Sequence, residues 1–108
     1  MILHITTRTN WETAGTLYTH PSLDDEGFIH CSTPEQILLP ANAMFRGQTG
    51  LVLLCIDPAR VTAEIIYEDC YQCGQKFPHI YGPLNKEAVI NVVDFPPKPD
   101  GTFSLPAL

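Results

Sequence analysis

The sequence predicts an α+β fold around a twisted sheet, and three features carry that expectation. Short runs rich in branched and aromatic residues recur along the chain, at 2–6, 28–31, 51–56, 63–67 and 89–95. Only two stretches combine a helix-capping residue with apolar spacing of helical period. The 108 residues suit one domain. A chain of this length buries roughly 60–70% of its unfolded surface, enough for one core without disulfide or metal support.

The elements follow in order. Ile2 to Thr6 reads as the first strand. Thr7 caps a short helix through Trp11, Glu12 and Ala14, which Gly15 ends. The polar stretch 16–27, with Pro21 and the acidic Asp24-Asp25-Glu26, reads as a surface loop. Phe28 to Cys31 is a second strand. Ser32 or Thr33 then caps a helix with Pro34 at its first position, and Ile37, Leu38, Ala41, Met44 and Phe45 recur on one face. Pro40 is expected to kink that helix. Leu51 to Ile56 is continuously apolar, the pattern of a central strand covered on both faces. Ala63 to Tyr67 forms another strand and 70–76 a loop. Phe77 to Tyr81 is extended, Gly82-Pro83 breaks it, Asn85 caps one helical turn, and Val89 to Phe95 is the last strand. A single α+β domain over 1–95 is therefore expected, followed by a Pro-rich tail over 96–108 running extended across the surface.

Composition excludes several classes. Hydrophobic residues at 44% and charged residues at 17% are incompatible with a disordered chain. Six Lys and Arg against twelve Asp and Glu leave a net charge of −6. That balance argues against binding duplex nucleic acid, which requires clustered cations, but leaves room for a local basic pocket for one phosphate in a small-molecule ligand. No apolar run approaches the ~20 residues that span a bilayer, so no membrane partner is expected. The start at Met1-Ile2-Leu3, with no basic leader, makes the cytoplasm the expected compartment.

Cys31 and Cys55 sit within apolar runs and read as small buried hydrophobes. Cys70 and Cys73 have the spacing of a metal knuckle or a redox pair. A zinc centre usually draws on two such knuckles and only one is present, so a loop with two incidental cysteines is the preferred reading and no metal site is assigned.

The histidines carry the functional signal. Each is followed two residues later by a hydroxyl: His4 by Thr6, His20 by Ser22, His30 by Ser32 and His79 by Tyr81. On a strand, residues two apart point to the same face. His4 with Thr6, His30 with Ser32 and His79 with Tyr81 should each place an imidazole beside a hydroxyl, whereas His20-Pro21-Ser22 falls in the loop. A single such imidazole can do no more than satisfy a neighbouring polar group. Three on separate strands suggest a shared polar cleft, able to hydrogen-bond a sugar or do acid–base work near pH 7. Glu68 could enter that cleft from the end of its strand, or stand as a solvated charge. Thr33 lies beside it, Arg46 is the best-placed cation for a phosphate, and Gly82 permits close approach of a ligand.

Three segments in order, His4-Ile5-Thr6, 27–33 and 77–84, together resemble a small bacterial family known as domain of unknown function nine-five-two. Ala41-Asn42, Phe45-Arg46-Gly47 and 51–54 fit the same pattern, so the resemblance runs from about Ile2 to Val93. It implies a fold similar to the ADP-ribosyltransferase superfamily: a mainly antiparallel, split sheet with two or three short helices, holding NAD or an ADP-ribosylated intermediate in the cleft. The resemblance further implies that His4 matches that superfamily's ribose-contacting first-strand histidine and that His30 occupies its second-strand position. Glu68, His79 and Tyr81 compete for the third position.

The expected function is binding of, or chemistry on, NAD or another ADP-ribose compound. His4 and Thr6 would hold the ribose hydroxyls, and His30 and Ser32 the diphosphate or second ribose. His79 and Tyr81 would stand at the reacting end, where the protein stabilises charge as the glycosidic bond loosens. The alternatives are a non-catalytic module for a nucleotide or phosphorylated sugar, and a histidine-dependent metallohydrolase.

Overall fold

The computed structural model describes residues 1–70 and 72–108. Tyr71, inside the cysteine segment, lies outside the described residues. Among the described residues, eight strands and three short α-helices are laid out as β1 (Ile2–Thr7), α1 (Arg8–Thr13), β2 (Leu17–Tyr18), α2 (Ser22–Asp25), β3 (Ile29–His30), α3 (Leu38–Met44), β4 (Leu51–Ile56), β5 (Glu64–Glu68), β6 (Phe77–Tyr81), β7 (Leu84–Asn85) and β8 (Val89–Asp94). The domain is a mixed α/β unit whose named strand pairings are all antiparallel.

Two three-stranded sheets, ordered β1-β4-β8 and β3-β6-β5, make the frame, and β2 pairs with β7 as a separate ribbon. Among the described residues, one isolated backbone bridge joins the two larger sheets. Leu3 and Ser32 exchange both backbone hydrogen bonds, at 2.7 and 2.8 Å, and the strands then diverge.

β4 lies between β1 and β8, and every one of its residues is buried. Its alternation feeds two cores. Val52, Leu54 and Ile56 pack with Ile2, Tyr18, Ile29, Ile80 and Leu84, while Leu51, Leu53 and Cys55 pack with Leu3, Ile5, Ile37, Ala41 and Phe95. A continuous apolar run is what a strand covered on both faces requires.

Five local expectations are corrected. The stretch 16–27, expected as a surface loop, holds β2 and α2, and Tyr18 within it has no exposed surface. A two-residue strand is too short to show periodicity, so only its pairing with β7 reveals it. The helix expected to follow Ser32 or Thr33 is α3, which starts only at Leu38, because residues 34–37 form turns. Pro40 then falls in the first turn of α3, where the amide needs no intrahelical acceptor, so the ring has nothing to break. Asn85 precedes a single 3-10 turn (Lys86–Ala88), but its side chain does not cap it. Its Oδ1 accepts from the Thr62 amide at 3.0 Å and its Nδ2 donates to the Arg60 carbonyl at 2.9 Å. In the tail, Phe103 is buried against Phe95, with ring centroids 4.6 Å apart, and its amide donates to Asn42 Oδ1 at 2.7 Å. One aromatic residue therefore pins a segment expected wholly on the surface.

Leu54→Ala should lower the free energy of unfolding in urea by about 2–5 kcal/mol, because it opens a cavity in the first core. Leu39→Ala, at a position 53% exposed, should change it by less than about 0.5 kcal/mol.

Candidate functional site

The site begins where the backbone ladder between the sheets stops. Strand alternation points the backbone of His30 toward β1, as it does for Ser32. Ser32 spends its groups on Leu3, but the His30 carbonyl is taken by a side chain: His4 Nδ1 lies 2.6 Å from it. The imidazole thus stands where the next rung would be. The Ile5 amide and carbonyl, which would have continued the ladder, point by the same alternation into the gap between the strands.

A carbonyl only accepts, so His4 Nδ1 donates, and a neutral ring must accept at Nε2. The donor there is the Tyr18 hydroxyl, 2.9 Å away, and the Tyr18 oxygen in turn accepts from the Thr6 hydroxyl at 2.8 Å. Burial pushes the His4 pKa down from 6.5 to about 3, with His20 and His30 adding to the effect, so the ring is neutral across the physiological range. Burial likewise pushes Tyr18 up to about 12. Among the described residues, no buried side-chain nitrogen or oxygen lacks a partner, which agrees with a closed network.

A cavity of about 490 Å³ opens beside this network. His4, His20, His30 and Ser32 contribute its polar wall, Leu3, Ile5, Ile37, Pro40, Met44 and Phe45 its apolar wall, and Asp25 and Glu26 its acidic side. His20 rests edge-on against His4, with ring centroids 5.2 Å apart. The Ser22 amide donates to His20 Nδ1 at 3.2 Å, so this ring carries its proton on Nε2. Burial and the neighbouring His30 lower the pKa of His20. His30 Nε2 lies 3.0 Å from Glu26 Oε1.

Glu68, His79 and Tyr81, with His30 beside them, form a second cluster, on the outer face of the β3-β6-β5 sheet. His30 and His79 stand directly opposite each other in the β3–β6 pair, with ring centroids 5.5 Å apart. Phe28 lies over them and stacks on His79 at 3.9 Å, 14° from parallel. Below it, His79 Nδ1 is 3.4 Å from Glu68 Oε1, and the Tyr81 hydroxyl donates to the same carboxylate oxygen. Cys70 joins them, its thiol donating to Glu68 Oε1 at 3.0 Å. The Tyr81, Cys70 and His79 bonds hold the Glu68 carboxyl below its ordinary pKa, while the Glu68 carboxylate pushes Tyr81 up to about 12 and Cys70 up to about 11. Burial lowers the pKa of His79 against the opposing pull of Glu68.

The structure therefore brings all four histidines together but divides the predicted residues between two places. His4, His30 and Ser32 line the cavity, and His79, Tyr81 and Glu68 lie outside its lining. Thr6 is reached only through Tyr18, and the Thr33 amide donates to Gln36 Oε1 at 3.1 Å. Arg46 is exposed and does not line the cavity. At Gly82 a Cβ would sit 3.0 Å from Ala63 Cβ, so this glycine serves close contact between chain segments. Tyr18, His20, Phe28, Asp25 and Glu26 belong to the site and were not singled out from the sequence. The His20-Pro21-Ser22 repeat of the histidine–hydroxyl spacing was the one signal that could have pointed to His20.

Two measurements test the buried network. Tyr18→Phe removes the hydroxyl that serves both His4 and Thr6, and urea titration should read a loss of about 1–3 kcal/mol. His4 binds a proton far more readily when unfolded, near pH 6.5, than when folded, near pH 3. Its contribution to stability is thus complete above pH 6.5 and is lost as pH falls from 6.5 toward 3. Urea midpoints measured across that window should decline more steeply for the native chain than for His4→Asn.

With this geometry established, comparison with known proteins places the chain. No curated protein matches it. A crystal structure of protein CC0527 from Caulobacter crescentus is 33% identical, covers 96% of this chain and 93% of its own, and superposes with a TM-score of 0.84. The solution structure of CC0527 is 32% identical over 94% of this chain and 89% of its own, with a TM-score of 0.71. The model of the family described as "Protein of unknown function (DUF952)" matches residues 5–92, a span that takes in His30, His79 and the whole second cluster. The chain belongs to the DUF952 family.

Proposed function

We propose that the cavity at the parting of the two sheets binds a ligand of the NAD and ADP-ribose class, with its nicotinamide–ribose end inward, in the manner of an ADP-ribosyltransferase-like protein. The observation that carries this reading is the convergence of His4, His20, His30 and Ser32 on one cavity beside the free edge of β1. Imidazoles and a hydroxyl suit ribose hydroxyls, because together they offer both donors and acceptors. The Ile5 amide and carbonyl offer the paired donor and acceptor that a carboxamide requires. Ile37, Met44 and Phe45 provide an apolar wall for a planar ring, and a cavity of about 490 Å³ lies in the size range of small-molecule sites.

Charge sets the orientation. Asp25 and Glu26 line the cavity and no Lys or Arg does, among the described residues. An acidic wall favours a cationic pyridinium and opposes a diphosphate. The diphosphate is therefore directed outward to solvent. On this reading His4 is held as a fixed acceptor and donor by Tyr18 and His30, whereas His20 and His30 are the imidazoles that meet the ligand.

A sensing role is favoured over turnover by one feature: Glu68, the carboxylate expected at the third position, lies outside the cavity lining. Calorimetric titration should show NAD and nicotinamide riboside binding, ADP-ribose binding more weakly, and His30→Ala weakening NAD by about tenfold, the scale of one lost hydrogen bond. No binding of any of the three at millimolar concentration would overturn the proposal. Chromatography after long incubation separates the two roles: intact NAD marks a sensor, and released nicotinamide marks an enzyme that draws its carboxylate from Asp25 or Glu26.

A further inference from the structure

The geometry points to a divalent transition-metal site, suited to zinc, formed by Glu68, Cys70 and His79 on the outer face of the β3-β6-β5 sheet. A carboxylate oxygen, a thiol sulfur and an imidazole nitrogen from these residues lie within 4.8 Å of one another. The separations resemble one triangular face of a zinc tetrahedron. With zinc bonds of about 2.3 Å to sulfur, 2.1 Å to nitrogen and 2.0 Å to oxygen, the tetrahedral edges are about 3.6 Å for S···N, 3.3 Å for N···O and 3.5 Å for S···O. The structure has 3.7 Å from Cys70 Sγ to His79 Nδ1, 3.4 Å from His79 Nδ1 to Glu68 Oε1, and 3.0 Å from Cys70 Sγ to Glu68 Oε1. Two edges already fit, and the third needs about half an ångström of opening.

The scaffold supports the assignment. Glu68 ends β5 and His79 lies within β6, diagonally across one antiparallel pair, with Glu68 opposite Phe77 and Ile66 opposite His79. Two of the three ligands therefore project from one face of paired strands. His79 is 1% exposed and fixed under the Phe28 ring, so little freedom is lost when it ligates. Cys70 follows the strand by two residues and supplies the adjustable arm. The Tyr81 hydroxyl on Glu68 is the kind of outer partner that orients a ligating carboxylate.

On binding, the Cys70 proton leaves to solvent, the neutral His79 ring carries its proton on Nε2 instead of on the Nδ1 that faced Glu68, and sulfur, Nδ1 and carboxylate oxygen each give a lone pair to the ion. Water fills the fourth position. A thiolate in the set selects zinc over magnesium or calcium. Cys73 falls outside the cluster: its thiol donates to the Gln75 carbonyl at 3.7 Å and its amide to Asp69. The site thus departs from a Cys70–Cys73 knuckle. It does not rest on the NAD reading, since none of its three residues lines the cavity.

The test uses the full chain, purified without a histidine tag and dialysed against zinc chloride. Elemental analysis should give one zinc per chain for the native protein and for Cys73→Ser, and none for Cys70→Ser. Cobalt chloride should produce the thiolate-to-metal absorption and tetrahedral visible bands in the first two only. Zinc should raise the thermal midpoint of the same two by mass action and leave that of Cys70→Ser unchanged. Sub-stoichiometric zinc in the native protein, zinc retained by Cys70→Ser, or zinc lost from Cys73→Ser would each overturn the assignment. Circular dichroism should show Cys70→Ser, altered at an exposed position, still folded.

Discussion

One substitution of bonding partners organises this molecule: a histidine side chain stands in for a rung of backbone ladder. Leu3 and Ser32 join the two sheets by a single pair of backbone bonds, and the next carbonyl, that of His30, is taken by the His4 imidazole. A ring between the strands keeps them apart while still satisfying the buried acceptor. Had the rung formed from Ile5 instead, the sheets would continue as one and close the gap. The cavity exists because the ladder ends there and the ending is chemically satisfied.

That arrangement requires a neutral ring. His4 is 3% exposed, and a charged imidazolium in that place would be stripped of water and held near two more histidines. Tyr18 and Thr6 complete the network, so β1, β2 and β3 are tied through three side chains. The role of His4 is therefore architectural first. The cavity face is left to His20, His30 and Ser32, which rest on that frame.

The outer cluster of Glu68, Cys70, His79 and Tyr81 shares a wall with the cavity through the His30–His79 contact, and Phe28 covers it. Its residues alternate with Ile65 and Ile80, which face the first core. The same pleat that buries one face of this sheet thus presents a polar set on the other. Two chemically distinct centres, one an acidic cavity and one a thiol–imidazole–carboxylate cluster, are built on opposite sides of a single histidine.

Legibility in the sequence follows the range of the forces involved. β1, β4, β6 and β8 were readable because branched residues with strand spacing act locally, and the pairing of His4 with Thr6 or His79 with Tyr81 on a face follows from the pleat alone. Helix α3 was displaced because its start depends on turns after Ser32 that the Ser-Thr-Pro signal cannot distinguish from a helical first turn. The burial of Tyr18 and the anchoring of Phe103 were not readable, since each depends on partners distant along the chain. The family membership, the α+β class and the same-face pairing of histidine with hydroxyl were determined by the amino-acid order itself. Which histidines reach the cavity, which meet Glu68, and that Cys70 rather than a cysteine pair joins them were decided only when strands remote in sequence were brought into register. Local periodicity sets a side chain's face, but only tertiary pairing sets what that face meets.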